Sequence, residues 1–323
     1  MAFTDPVELL KFLQLDPAHY APDIPARRLF PMRVPRPFAA LMQKGEPNDP
    51  LLKQVLPDRE EFVATEGFGP DPLGEQDNPT AGMLHKYQSR VLLLVRGGCA
   101  VNCRYCFRRH FPYADNAVSK REWLPVIESL KSSPEINEVI FSGGDPLMAN
   151  DQYLSWLADQ VTQLPQIKRL RIHTRLPVVI PSRIDDAFIQ WFANMSVKPI
   201  LVLHINHSRE ISPALSDRVT RLKTAGVTVL NQAVLLRGIN DSVDAQVALS
   251  EALFEAGILP YYLHLLDKVD GAAHFDTHVD SVRQIMRGML KALPGFLVPK
   301  VVREVAGESS KSVVDYEMLD DGV

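Results

Sequence analysis

From residue 90 onward, short apolar runs alternate with longer stretches whose apolar residues recur at helical spacing. The runs at 90–95, 138–142, 169–174, 200–205, 228–234 and 259–265 are β-rich, and their lengths and spacing predict six strands. Segments 120–131, 151–164, 183–195, 213–225, 242–256 and 278–293 carry the three-to-four-residue apolar period of amphipathic helices. Ser212 followed by Pro213 marks a helix start, and Gly226 and Gly257 mark helix ends. This alternation predicts an α/β fold. Right-handed crossovers would curve the parallel sheet, most simply into a partial or open (βα)6 barrel.

Residues 1–89 have another texture. Pro17, Pro22, Pro25, Pro31, Pro35, Pro37, Pro47 and Pro50 interrupt short helical patterns at 6–13 and 37–43. The stretch reads as a mainly helical and extended region that packs on the barrel. After the core at 90–295, the segment 296–323 holds a strand-like run at 296–302 and then Gly307-Glu-Ser-Ser-Lys311.

A net charge of −4 gives no electrostatic case for a nucleic-acid partner. The apolar runs fall far short of the roughly 20 residues that span a membrane. An odd number of cysteines and the lack of a secretory leader argue against disulfides, so the expected location is the reducing cytoplasm.

Every cysteine lies in Cys99-Ala-Val-Asn-Cys103-Arg-Tyr-Cys106, directly after the first predicted strand. Iron–sulfur clusters normally take four thiolates, so three cysteines suggest a [4Fe–4S] cluster with one iron open to a ligand. A zinc site completed by His110 is the bland alternative. Structural zinc shells usually join two ligand pairs from separated loops, and these three are too close together to do so.

Catalytic groups of α/β barrels collect at the C-terminal ends of strands. Here those ends carry the cysteine loop, Ser142-Gly143-Gly144-Asp145-Pro146, His173-Thr174-Arg175, His204-Ile-Asn206-His207, Asn231-Gln232, and His264 with Asp267. The paired glycines would let a ligand approach the backbone closely.

The cysteine loop, Tyr105 before its last cysteine and the Gly-Gly-Asp-Pro turn resemble the radical S-adenosylmethionine (SAM) superfamily. More narrowly, His85-Lys-Tyr87-Gln-Ser-Arg90, Cys106-Phe-Arg108-Arg109, Val234-Leu-Leu-Arg-Gly-Ile-Asn240-Asp and Pro260-Tyr-Tyr262 resemble the lysine 2,3-aminomutase family. The chain lacks the long C-terminal extension of the free-lysine fermentation enzymes. With Gly97-Gly98 before Cys99, it looks most like the branch that makes (R)-β-lysine for elongation factor P.

That resemblance implies a cytoplasmic isomerase that moves the amino group of L-lysine from C2 to C3. Its cofactors would be a [4Fe–4S] cluster on Cys99, Cys103 and Cys106, SAM, and pyridoxal 5′-phosphate (PLP). Gly143, Gly144 and Asp145, with His204 and Gln232, would contact SAM. Lys311 would be the catalytic lysine that forms the Schiff base with PLP, with Lys86, Tyr87 and Arg90 around that cofactor. Arg108 would hold the substrate carboxylate, and Asp267 and Glu304 its distal ammonium. The implied partners are a reductant such as flavodoxin or ferredoxin and, functionally, an elongation factor P ligase, with no nucleic acid and no membrane.

Two departures stand out. Glu308-Ser309-Ser310 replaces a glycine run before the Schiff-base lysine, and Glu304 replaces an aspartate. Two other classes stay open at this point. One is a radical SAM enzyme without PLP acting on a different substrate; the other is a non-catalytic iron–sulfur or zinc protein that carries electrons or scaffolds a partner.

Overall fold

The computed structural model describes residues 2–318. A small ribbon pairs β1 (Ala2–Phe3) with β2 (Val34–Pro35). The main sheet has nine strands: β3 (Met83–Tyr87), β4 (Arg90–Arg96), β5 (Glu138–Gly143), β6 (Arg169–Thr174), β7 (Lys198–Leu203), β8 (Thr228–Val234), β9 (Leu259–His264), β10 (Lys300–Arg303) and β11 (Ser312–Val313). Their spatial order equals their chain order. Strands β4 to β10 run parallel, and β3 and β11 are antiparallel edges. Among the described residues the two edges do not pair with each other, so the barrel is incomplete.

All six predicted strands form. The fourth starts two residues early, leaving His204 to Asn206 in an irregular stretch where the Asn231 side chain accepts from Ile205 N–H at 2.9 Å. The six helices are Lys120–Lys131, Asp151–Thr162, Asp186–Ala193, Pro213–Thr224, Val243–Glu255 and Val279–Ala292. The third is shorter than its apolar pattern, because the Asp185 carboxylate caps Phe188 N–H at 2.8 Å and starts the helix there. The pattern at 6–13 yields Pro6–Phe12, whereas 37–43 yields only Arg36–Ala39. Asp49 takes the Gln43 N–H at 2.8 Å and bends the chain away. The run at 296–302 splits at Pro299 into a 3-10 turn, Gly295–Leu297, and β10, since proline donates no ladder hydrogen bond.

The antiparallel strand β3 lies within the stretch read as helical and extended, because its Met-Leu-His-Lys-Tyr sequence has no clean alternation. A bulge between Leu84 and Tyr87, the stretch that holds His85 and Lys86, sets one extra residue against β4. No helix of the described residues is long and apolar enough to cross a membrane.

The N-terminal region is tied to the cysteine loop by buried charge. The Arg104 side chain is fully buried and grips Glu61 through two nitrogens, at 2.8 and 2.5 Å. Arg109 reaches the same carboxylate at 2.7 Å, and Arg104 also donates to Phe30 O at 2.6 Å. One carboxylate therefore compensates two buried guanidiniums. Removing it strands both, and breaking such a pair costs about 3–5 kcal/mol. Glu61→Gln is expected to lower the urea midpoint of the protein by that much stability, whereas Asp23→Asn, at an exposed ion pair, changes it by less than ~1 kcal/mol.

Candidate active site

The C-terminal strand ends open into one cavity, lined by the three cysteines, Gly143, Gly144, Arg108, His204, Gln232, Asp267, Glu304, Lys86 and Lys311 among others. At its floor two strand ends are stitched together. Gly144 N–H donates to Arg96 O at 2.7 Å, and Asp145 N–H donates to Gly98 O at 3.1 Å. A β-carbon on Gly144 would sit 2.7 Å from Gly97 O, and Gly143 holds a φ of 121°. The paired glycines thus admit the backbone that leads into the cysteine loop; ligand approach, the expectation from sequence, is not their only use.

Asp145 is buried, and its carboxylate accepts from Leu147 N–H, Arg175 N–H, Leu176 N–H and the Thr174 hydroxyl at 2.7–3.0 Å. Its acceptor capacity is spent on shaping the turn, so the contact with SAM expected of this residue would fall to its backbone. The backbone of the turn still faces the cavity.

The cysteines fit a cluster. All three are half-buried on one loop, and burial pushes the Cys106 thiol up to about 11 and that of Cys99 higher still. Thiolate therefore needs a cationic partner, which coordinated iron would be. Arg175 supplies fixed positive charge, its Nη1 donating to Cys103 Sγ at 2.9 Å. Gln54 Oε1 and Glu210 Oε2 hold the other nitrogen at 2.7 and 3.0 Å, and Tyr105 and Asn206 complete the buried network. Among the described residues no three ligands converge on a single ion. His110 is exposed and does not line the cavity, so nothing completes a Cys3His zinc shell.

Above the cysteines, Gln232 Nε2 and His204 Nε2 are 3.0 Å apart. Burial, with Arg175 nearby, lowers the His204 pKa to about 3 and keeps the ring neutral.

At the other side of the cavity an ionic chain runs Arg108, Glu75, Lys86, Glu304, Lys311. Arg108 clasps Glu75 with Nε and Nη2 at 2.6 and 3.0 Å, and turns Nη1 toward the Ser142 hydroxyl at 3.2 Å. Lys86 bridges Glu75 at 2.8 Å and Glu304 at 3.0 Å, and Lys311 takes the second oxygen of Glu304. Burial opposes ionisation of Glu304, yet Lys311 and Lys86 hold its carboxyl well below the usual range. These residues fit PLP: an amine at Lys311, a second ammonium at Lys86, and Arg90 stacked over Tyr87 at 4.3 Å on the same strand pair.

Asp267 is different. Its carboxylate has no hydrogen-bond or ion-pair partner among the described residues. Burial, then the nearby Glu304 charge, raise its pKa to about 7. An enclosed carboxylate without a counter-ion is an anion site awaiting a cation.

The residues expected from the family resemblance to hold the cluster, SAM, PLP and substrate all line this cavity, whereas His110, His207 and Asn231 do not. Sequence reasoning missed Glu75, Gln54 and Glu210. Glu75 sits in Asp71-Pro-Leu-Gly-Glu75, where Asp71 accepts from Glu75 N–H and Gln76 N–H at 2.9 Å; the only sequence signal was a proline-glycine turn.

Residues 93–245 match the family described as the radical SAM superfamily. Over 316 residues the chain is 53% identical to the L-lysine 2,3-aminomutase of Escherichia coli strain K12, covering 98% of this chain and 92% of that protein. The namesake of Haemophilus influenzae Rd is 49% identical, with 97% and 93% covered. That of Clostridium subterminale is 34% identical over 86% of this chain and 67% of its own length.

The raised pKa of Asp267 has a sign that can be tested. The folded state keeps its proton above the unfolded pKa, so stability falls from about pH 4 up to about 7 and then levels. Asp267→Asn is expected to be more stable than the parent by roughly 1–3 kcal/mol at neutral pH and above, with the gain shrinking toward pH 4. Thermal melts at pH 5 and pH 8 measure this; an equal or opposite difference at the two pH values would contradict it.

Proposed function

We propose that this chain, which belongs to the lysine 2,3-aminomutase family of the radical SAM superfamily, converts L-lysine to (R)-β-lysine with the help of PLP. As a radical SAM isomerase it works with a [4Fe–4S] cluster and SAM. The reading rests chiefly on one observation: Arg108, the unpaired Asp267 and the amine of Lys311 face the same cavity as the three cysteines.

The bound groups supply the hydrogen-abstracting carbon radical and an aldehyde that carries the migrating nitrogen. The chain's own residues then have separable tasks. Cys99, Cys103 and Cys106 hold the cluster, and the turn at Gly143 and Gly144, with His204 and Gln232, seats SAM. Lys311 anchors PLP, while Lys86, Tyr87 and Arg90 surround it. Arg108 orients the substrate carboxylate, its fork aimed by Glu75. Asp267, joined by Glu304, receives the distal ammonium and fixes the length of the substrate between two charged ends. None of the lining side chains is fully exposed, and the buried Arg108, Asp145, Arg175 and Asn206 among them limit the access of water to reactive carbon centres.

The proposed product would serve modification of elongation factor P, linking the enzyme to a ligase for that factor in the cytoplasm. A low-potential carrier such as flavodoxin or ferredoxin would deliver the electron.

Reconstituted enzyme given L-lysine, SAM, PLP and dithionite should yield (R)-β-lysine on chiral analysis. No product from protein with a full complement of iron and sulfide would defeat the reading. Lys311→Ala should lose PLP retention and, through lost orientation, more than ~100-fold in turnover while keeping its iron. Full turnover by this variant would point to a PLP-free reaction.

Asp267 makes a second expectation. Losing a hydrogen bond to a charged group costs about 1.5–3 kcal/mol, so Asp267→Asn should raise KM for lysine roughly tenfold to a hundredfold. In the parent, KM should fall as pH rises through about 7 and the carboxylate ionises; the variant should lack this dependence.

A further inference from the structure

The outer side of the cysteine loop is covered by residues 24–45. In a chain of net charge −4 this segment carries Arg27, Arg28, Arg33, Arg36 and Lys44 and no acidic residue. It is fastened directly to the loop. Asn102 N–H donates to Arg33 O at 3.0 Å, and Asn102 Nδ2 donates to Pro31 O at 2.7 Å. Asn102 precedes Cys103, so one hydrogen bond separates the Arg33 backbone from the neighbour of a proposed cluster ligand. The Phe30 ring of the same segment lines the cavity from inside.

The outward face combines charge with apolar surface. Arg27, Arg28, Arg33 and Arg36 are exposed. Between them Leu29 is 40% exposed, and Phe62 is 41% exposed with the Arg28 guanidinium 4.9 Å from its ring centre. Of the acids on neighbouring segments, Asp23 pairs with Arg59 at 2.7 Å, and Asp5 takes Val7 N–H at 3.0 Å and Arg27 at 3.5 Å. Asp58 accepts from Glu60 N–H at 2.9 Å, and Glu60 is exposed two residues before Phe62, which leaves arginine in excess on this face. An apolar centre inside a basic rim has the anatomy of a protein interface, and its field would steer an acidic partner.

We infer that this face docks a small acidic electron-carrier protein, which reduces the cluster through the segment behind it. The inference rests on the radical SAM reading of the cysteines. The carrier loses one electron, the oxidised cluster gains one, and no atom is transferred. Redox encounters of this kind use small, weak interfaces, below about 1,200 Å², which suits a face built from one short segment and the neighbouring Phe62. Steering by rim charge also gives fast association at the cost of salt sensitivity.

The test uses reconstituted enzyme and an acidic flavodoxin as probe, with the dissociation constant measured at low and high salt. Binding should weaken as salt rises. Arg28→Glu/Arg33→Glu should weaken it by at least about tenfold and flatten the salt dependence, while iron content and turnover with dithionite stay at parent levels. Arg121→Glu, on the exposed side of the helix Lys120–Lys131, should leave binding unchanged. If the double reversal costs iron, Arg28→Gln/Arg33→Gln replaces it and should weaken binding by a smaller but clear factor. Unchanged flavodoxin binding in a cluster-replete variant would overturn the inference, as would equal weakening by Arg121→Glu. Failure of the parent to make β-lysine with dithionite would instead count against the aminomutase reading.

Discussion

The fold depends on holding the short cysteine loop still. Ala100 and Val101 pack in the core and Cys103 against it, but apolar contact gives thiols no direction, and the proposed cluster ligands must stay in place before any metal arrives. The chain meets this with buried charge: Glu61 between Arg104 and Arg109 on one side, and Arg175 between Cys103, Gln54 and Glu210 on the other. Desolvating these groups is costly, and apolar residues of similar size could be as stable. Directional bonds, however, fix position as well as contact. The proline-rich N-terminal region earns its place by supplying Gln54 and Glu61, partners the barrel lacks at these positions.

The ligand side follows a different rule. Arg108, Glu75, Lys86, Glu304 and Lys311 neutralise one another in sequence, so each ligand charge must compete with an internal group of the same sign. A carboxylate at Arg108 meets Glu75, and an ammonium at Glu304 meets Lys86 and Lys311. Net affinity is then a small difference between two sets of ion pairs, and it discriminates sharply against a ligand with only one correct end. Asp267 breaks the pattern. Left without a partner, it would give the proposed distal ammonium an uncontested site, and in the free protein its pKa is raised by burial.

Much of this was legible in the sequence because strands β4 to β9 and their helices carry strong apolar periods. The cysteine spacing and the polar strand ends, Asp267 among them, could be read as chemistry, whereas the role of Arg108 came from likeness to a family. Lys311 could not, being an ordinary lysine in a serine-rich tail; only likeness to a family singled it out. Strand β3 escaped because its edge position and bulge disrupt alternation. Glu75, Gln54 and Glu210 escaped because their partners lie 33, 121 and 35 residues away, and no local pattern encodes such pairings.

The Gly-Gly-Asp-Pro turn shows how one motif can couple the two halves of the site. Its glycines are required by the backbone of Arg96 to Gly98, so the end of β5 and the root of the cysteine loop form one rigid piece. The same turn reaches the ligand side. Gly143 O accepts from the Tyr113 hydroxyl at 2.9 Å and lies 3.4 Å from Arg108 Nη1. A displacement of the cysteine loop would therefore move the arginine proposed to orient the substrate. In radical chemistry the distance between the group that generates the radical and the carbon it attacks is critical, and here both are referenced to a single turn. A side chain at Gly144 would disturb the proposed cluster and substrate sites together.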